Sequence, residues 1–80
     1  MKLPRDLTGE DLLRGLRRIG YVLDRQAGSH MIAKCAFPRP HSVTVPNHKP
    51  LKIGTLSAIL HEIGLQRDLS VEALLAEMKL

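Results

Sequence analysis

The sequence is short of aromatic residues and cysteine, and each shortage disfavours a class of protein. It has no tryptophan, and Tyr21 and Phe37 are its only aromatic residues of the Phe, Tyr and Trp type. Recognition of RNA bases by stacking on a row of aromatic rings is therefore disfavoured. Cys35 is the only cysteine, so the chain forms no internal disulfide and no zinc site built on several cysteines. A reducing cytoplasmic location fits this composition.

Long apolar runs are also missing, and acidic residues are in the minority. No apolar stretch is long enough to cross a bilayer, and the first residues lack the apolar segment of a signal peptide. We therefore expect no membrane association. Twelve basic residues against eight acidic ones give a net charge of +4. This excess favours a polyanionic partner that is bound mainly through its phosphates.

The 80 residues, 44% of them apolar, suit one small domain spanning residues 1–80. Thr8 and Asp11 have the spacing of a capping box, and apolar residues then recur at helical intervals. We predict a first helix over residues 9–19, with Gly20 as its left-handed cap. Three arginines, Arg14, Arg17 and Arg18, lie away from much of the apolar stripe of this helix.

The next segment predicts three antiparallel strands. β-forming residues fill 21–26, Ala27-Gly28-Ser29 supplies a turn, and residues 30–37 and 41–45 alternate with a period of two. One parity of the middle strand, Met31, Ala33, Cys35 and Phe37, is predicted to face the core together with Val43 and Val45. The other parity places His30, Lys34, Ser42 and Thr44 on an open face.

The second half predicts two more helices. A loop at 46–50 precedes a helix over about 52–63 that Gly64 closes as a cap. Ser70 is a suitable N-cap for a last helix over about 71–79. Lys49 and Lys52 flank a helix start, where free N–H groups and the helix dipole favour phosphate. The predicted fold is α+β, in the α-β-β-β-α order of double-stranded-RNA-binding domains, with the helices on one sheet face and a short C-terminal helix added.

Four pieces of the chain, in order and with their spacing, match a known family pattern. They are the helix end Ile19-Gly20-Tyr21, the turn Gly28-Ser29-His30, the strand end Val43-Thr44-Val45-Pro46 followed by His48, and Leu51-Lys52-Ile53-Gly54-Thr55-Leu56 running on to Gly64-Leu65. With these pieces the chain resembles the HicA-type toxins, small mRNA interferases of HicAB toxin–antitoxin systems, over residues 9–65. Family members often carry adjacent lysines where this chain has Lys49-Pro50-Leu51-Lys52.

The resemblance implies an enzyme that cleaves mRNA and is silenced by a HicB-like antitoxin, with His30 as the catalytic residue. RNA supplies its own nucleophile, the 2′-hydroxyl, so one histidine that moves a proton suffices in principle and no metal or other cofactor is expected. Gly28 would let the phosphate approach the backbone, Ser29 would hydrogen-bond it and Lys34 would offset its charge. The candidate RNA-binding residues are Arg14, Arg17, Arg18, Arg25, Lys49 and Lys52.

Other interpretations stay open on the sequence alone. A catalytically silent double-stranded-RNA-binding module of the same fold would use the basic residues and leave His30 idle. A DNA-binding helix-turn-helix formed by 53–64 and 70–78 would need a longer turn than usual. A metal site on His30, His41 and His48 is disfavoured because no acidic residue lies near them in the sequence. The apolar parity of Cys35 favours a core position over a nucleophile.

Overall fold

A computed structural model describes residues 3–80 of the chain; residues 1 and 2 of the predicted domain lie outside the described part. The element order is α1 (Gly9–Arg18), β1 (Val22–Ala27), β2 (His30–Cys35), β3 (His41–Pro46), α2 (Ile53–Arg67) and α3 (Val71–Met78). The strands form one antiparallel sheet in the order β1-β2-β3. The predicted α+β fold with a C-terminal helix is confirmed.

Helix α1 begins where the sequence predicts. The Thr8 hydroxyl accepts a hydrogen bond from the Asp11 N–H at 3.0 Å, and the Asp11 carboxylate accepts one from the Thr8 N–H at 3.1 Å. This capping box satisfies two of the free N–H groups at the helix start. At the other end Gly20 has a φ of 101°, a backbone conformation that glycine adopts at little cost.

One side of the sheet carries the core. Met31, Ala33 and Cys35 of β2 and Val43 and Val45 of β3 are buried, as their parity predicts. They pack with the apolar faces of the helices, whose largest fully buried side chains are Leu12, Leu16, Leu56, Leu60, Ile63, Leu74 and Met78. Within the described residues no polar or charged residue other than Tyr21 joins this buried set. The residues of opposite parity on β2 and β3 are therefore left without a covering layer.

Phe37 corrects the prediction for the end of the second strand. β2 stops at Cys35, and Phe37 lies in the bent segment before Pro38 with 51% of its surface exposed. Because the chain has left the sheet there, the alternation that predicted an inward side chain no longer applies. The ring packs over Gly20 instead, where an added Cβ would lie 2.5 Å from the ring.

Gly64 does not end the second helix, contrary to the prediction from the sequence. Helix α2 continues to Arg67, and Asp68, with a φ of 55°, is the left-handed residue that caps it. Gly64 instead permits the chain to return closely, because a Cβ there would meet the Leu69 carbonyl oxygen at 2.6 Å. The Leu69 N–H donates to the Gly64 carbonyl at 3.0 Å, and the chain turns into α3.

The last helix closes the core as well as ending the chain. The Ser70 hydroxyl accepts a hydrogen bond from the Ala73 N–H at 3.1 Å, which confirms the predicted N-cap. Leu74, Leu75 and Met78 are buried, and α3 packs against both α1 and α2. None of the helices in the described part of the chain has the length and apolar character that a bilayer span requires.

Candidate functional site

His30 is the first residue of β2 and lies on the open face of the sheet. Its backbone pairs with Ala27 of β1 on one side and with Pro46 of β3 on the other. The residue is exposed. Within residues 3–80 the ring takes part in no hydrogen bond and no ion pair with another side chain. Both ring nitrogens are therefore available to a ligand.

The turn that delivers His30 is held by backbone contacts. Gly28 has a φ of 60°, and nothing lies within 4 Å of the position that a Cβ would occupy. The Gln26 side-chain amide donates to the Gly28 carbonyl at 3.2 Å. The Ser29 carbonyl accepts a hydrogen bond from the Asn47 N–H at 2.6 Å, so the turn is joined to the loop after β3. The Ser29 side chain is exposed next to this junction.

A β-bulge in β1 places Arg25 on the same face of the sheet as His30. Leu23 pairs with Ala33 but Arg25 pairs with Ile32, so Asp24 is one extra residue on β1. Without that shift, strict alternation would place Arg25 on the same side as Leu23. With it, Arg25 shares the open face with Ile32 and His30. It is a diagonal neighbour of His30, about 7–8 Å away across the strand pair.

Lys34 lies on the same face but at the other end of β2. It is four residue steps along the strand from His30, about 13 Å at the usual rise per residue. Its ammonium lies 3.5 Å from the Asp24 carboxylate, with both side chains partly exposed. The structure therefore brings Arg25 close to His30 and leaves Lys34 beside a carboxylate further along the sheet.

Helices α1 and α2 both begin at the His30 end of the sheet. The loop 47–52 joins β3 to α2 and is hydrogen-bonded to the start of α1: the Gly9 N–H donates to the His48 carbonyl at 2.9 Å, and the Leu51 N–H donates to the Leu7 carbonyl at 2.7 Å. Lys52 is the N-cap residue of α2 and makes no side-chain cap hydrogen bond. Lys49 lies 3.7 Å from the Glu10 carboxylate, and both side chains are more than half exposed. The positive ends of two helix dipoles and two lysines thus lie at this end.

The arginines of α1 are not brought to His30. Arg14 pairs with Asp11 at 3.0 Å on the helix surface. Arg17 and Arg18 line a groove with Gly20, Phe37 and Arg67 at the opposite end of the sheet, and one Arg18 nitrogen donates to the Met78 carbonyl at 2.9 Å. These two arginines belong to the helix layer and the far end of the molecule, whereas His30 lies on the open sheet face.

The far end contains a network that the sequence did not reveal. The Nδ1–H of His41 donates to the Arg39 carbonyl at 2.7 Å, so in the neutral ring Nε2 accepts a hydrogen bond from the Tyr21 hydroxyl at 2.6 Å. Burial raises the pKa of Tyr21, partly offset by Arg67, whose guanidinium lies 4.6 Å from the centre of the Phe37 ring. His41 is therefore engaged in holding the β2–β3 connection. No sequence signal pairs residues 20 positions apart, so the contact between Tyr21 and His41 could not be predicted.

The histidines and carboxylates are also dispersed. Across residues 3–80, no group of three His, Cys, Asp or Glu side chains is placed to hold a metal ion. Cys35 is buried and its thiol donates to the Phe37 carbonyl at 3.3 Å. Its position matches the predicted core residue.

A comparison with protein families gives a match to the chain. The family model described as HicA toxin of bacterial toxin-antitoxin matches residues 9–65, which include α1, the whole sheet and most of α2. No curated protein matches the chain significantly, and no solved structure does so.

Proposed function

Because the chain belongs to the HicA family of bacterial toxins, we propose that it is an RNA endonuclease that cleaves mRNA with His30 as its catalytic residue. The single observation that carries the proposal is the placement of His30. Its ring is exposed and free of protein partners on the open sheet face, with Arg25 beside it and two helix N-termini at the same end.

The reaction needs one proton acceptor and a stabilised phosphate. His30 takes the proton of the RNA 2′-hydroxyl, whose oxygen forms a bond to the adjacent phosphorus. The bond from phosphorus to the 5′-oxygen then breaks, that oxygen takes a proton from water, and the hydroxide so formed takes the proton back from His30. Histidine is the side chain that most often moves a proton in catalysis. No metal is required, so a chelator is expected to leave cleavage unchanged.

The neighbours of His30 divide into near and distant contacts to the phosphates. Gly28 leaves the turn backbone open to a phosphate oxygen, the Ser29 hydroxyl hydrogen-bonds it, and Arg25, Lys49 and Lys52 supply positive charge nearby. Lys34 contacts a phosphate further along the strand, about 13 Å from the reacting one. Arg14, Arg17 and Arg18 serve only an RNA long enough to pass around the edge of the sheet.

The protein partner is an antitoxin, which membership of a toxin–antitoxin family implies. We propose a HicB-like antitoxin that binds in the cytoplasm and prevents cleavage. A basic toxin favours an acidic partner surface, since opposite charges speed the encounter.

The test compares purified wild-type protein with His30→Ala and with His61→Ala, which removes an exposed histidine of α2 in the helix layer. Cleavage of a labelled RNA is followed with chelator present, and folding is checked by circular dichroism. His30→Ala is expected to lose about 100-fold or more of the rate, and His61→Ala to keep it. A folded His30→Ala that cleaves like wild type would show that the catalytic assignment is wrong. A wild-type chain that binds RNA and cleaves none would instead be the silent RNA-binding module.

A further inference from the structure

The placement of His30 is set by the backbone at the start of β2. No described side chain hydrogen-bonds the ring, whereas a catalytic histidine is commonly oriented by a third group. The ring is therefore placed by the start of β2 and by what holds that start. Ala27 of β1 pairs with His30 on one side. On the other side Pro46 pairs with His30, and the Asn47 N–H donates to the Ser29 carbonyl at 2.6 Å.

Pro46 and Asn47 in turn pack against the start of α1. Gly9 is buried, and its N–H donates to the His48 carbonyl at 2.9 Å. A Cβ on Gly9 would overlap the Pro46 carbonyl oxygen and would lie 3.1 Å from the Asn47 Cα. All of these are backbone atoms, so no rotation of a side chain can make room. The capping box of Thr8 and Asp11 fixes the helix start, which leaves the 46–48 segment to move.

We infer that Gly9 is a positioning residue for His30, acting through the backbone of Pro46 and Asn47. This inference rests on the proposed function. Because Gly9 has no side chain, the start of α1 packs directly against the backbone of Pro46 and Asn47. These two residues hold His30 and Ser29. A methyl group there displaces Pro46 and Asn47, and with them Ser29 and His30. Misplacing a reactive group by about 1 Å costs about 100-fold in rate, so the chemical step suffers more than RNA binding does.

The chain offers a matched control in the same helix. Gly15 is also buried, but a Cβ there would meet only side-chain atoms of Leu80 and Met78, at 3.1 Å and beyond. Gly15→Ala therefore disturbs packing against α3 and not the strand ends. A second variant, Asn47→Pro, leaves Gly9 in place and removes the N–H that holds Ser29.

The experiment measures kcat and KM for RNA cleavage by wild type, Gly9→Ala, Gly15→Ala and Asn47→Pro, each at a temperature where it is folded. In parallel, NMR records the His30 ring signals and the amide signals of residues 28–30. We expect Gly9→Ala and Asn47→Pro to lose about 10- to 100-fold in kcat, with KM changed less than about threefold and the turn signals shifted. Gly15→Ala is expected to keep the wild-type kcat and the wild-type signals.

The inference is overturned if folded Gly9→Ala keeps the wild-type kcat and turn signals, or if Gly15→Ala loses as much kcat as Gly9→Ala. Should Gly9→Ala fail to fold, Asn47→Pro decides by the same readings. The NMR signals separate this inference from the proposed function. If His30→Ala still cleaves RNA, His30 is not the catalytic residue. Shifted His30 signals in Gly9→Ala would still show that Gly9 positions His30.

Discussion

Arg25 is the diagonal neighbour of His30 on the open face of the sheet. The extra residue Asp24 shifts the register of β1 by one, so that Arg25 pairs with Ile32 and lies on the same face as His30. Arg25 and Lys34 are the only Lys or Arg residues within the three strands. Since Lys34 is paired with Asp24, Arg25 is the strand cation free to meet a phosphate beside His30.

Arg25→Ala is expected to weaken RNA binding and its dependence on salt. Each phosphate contact contributes about 0.7 to 0.9 to the slope of log affinity against log salt, so the slope should fall by roughly that amount. The measurement is fluorescence anisotropy in a His30→Ala background, where the RNA stays intact. Arg39→Ala, in the loop at the other end of the sheet, is the control and should keep the slope. An unchanged slope in Arg25→Ala would remove Arg25 from the interface.

The capping box makes part of the stability sensitive to acid. The pKa of Asp11 is lowered from its ordinary 3.8, first by the Thr8 N–H that donates to the carboxylate, then by the Thr8 side chain and Arg14. Because the pKa is lower in the folded state, the stabilisation is present above the unfolded pKa and is lost as pH falls through the folded one. Asp11→Asn should therefore be less stable than wild type at neutral pH, and the difference should shrink below the ordinary carboxyl pKa. Urea unfolding of wild type and Asp11→Asn, at neutral pH and below the ordinary carboxyl pKa, measures this difference in stability.

Tyr21 gives the opposite dependence at high pH. Burial raises its pKa above 10.0, with Arg67 opposing the shift. The unfolded chain ionises first, so this contribution to stability is fully present below pH 10 and is lost as pH rises towards the folded pKa. A near-ultraviolet absorbance titration should show tyrosinate forming above pH 10 in the native protein and near 10 in urea. Equal midpoints in the two conditions would contradict the buried hydroxyl.

Two glycines of α2 should respond oppositely to alanine. Gly54 is exposed and nothing lies within 4 Å of its Cβ position, so Gly54→Ala should stabilise the protein by about 0.5–1 kcal/mol. At Gly64 the added Cβ would meet the Leu69 carbonyl, so Gly64→Ala should destabilise it by about 1–3 kcal/mol. Urea midpoints of the two variants and wild type give the comparison. Equal shifts would show that helix propensity alone governs both positions.

Local signals were enough to predict most of the fold. Thr8 with Asp11 and Ser70 predicted the helix starts, and the alternation of Met31, Ala33 and Cys35 predicted the covered face of the sheet; all three are observed. These features depend on residues close in the chain, and so the sequence displays them. The helix end at Gly64 was wrong because α2 continues to Arg67 and the left-handed Asp68 caps it. The inward Phe37 was wrong because β2 ends at Cys35, so the alternation no longer applies at residue 37.

The candidate site was harder to predict than the fold. A pattern of family residues pointed to His30, and its parity predicted the exposed position that the structure shows. The bulge at Asp24 has no signature in β1, so the approach of Arg25 could not be predicted. The sequence could not divide the basic residues into two groups, because charge alone does not tell which end of a sheet a residue reaches. The packing of α1 separates Arg17 and Arg18 from Lys49 and Lys52.

The single tyrosine also makes the molecule its own optical probe. The chain has no tryptophan, so its intrinsic emission comes from one buried ring that is hydrogen-bonded to His41. That ring lies at the Cys35 end of the sheet, about 17 Å along β2 from His30. Emission from Tyr21 therefore reports whether the far end is packed. Variants made at the His30 end can thus be checked for intact packing of the far end without a dye or label.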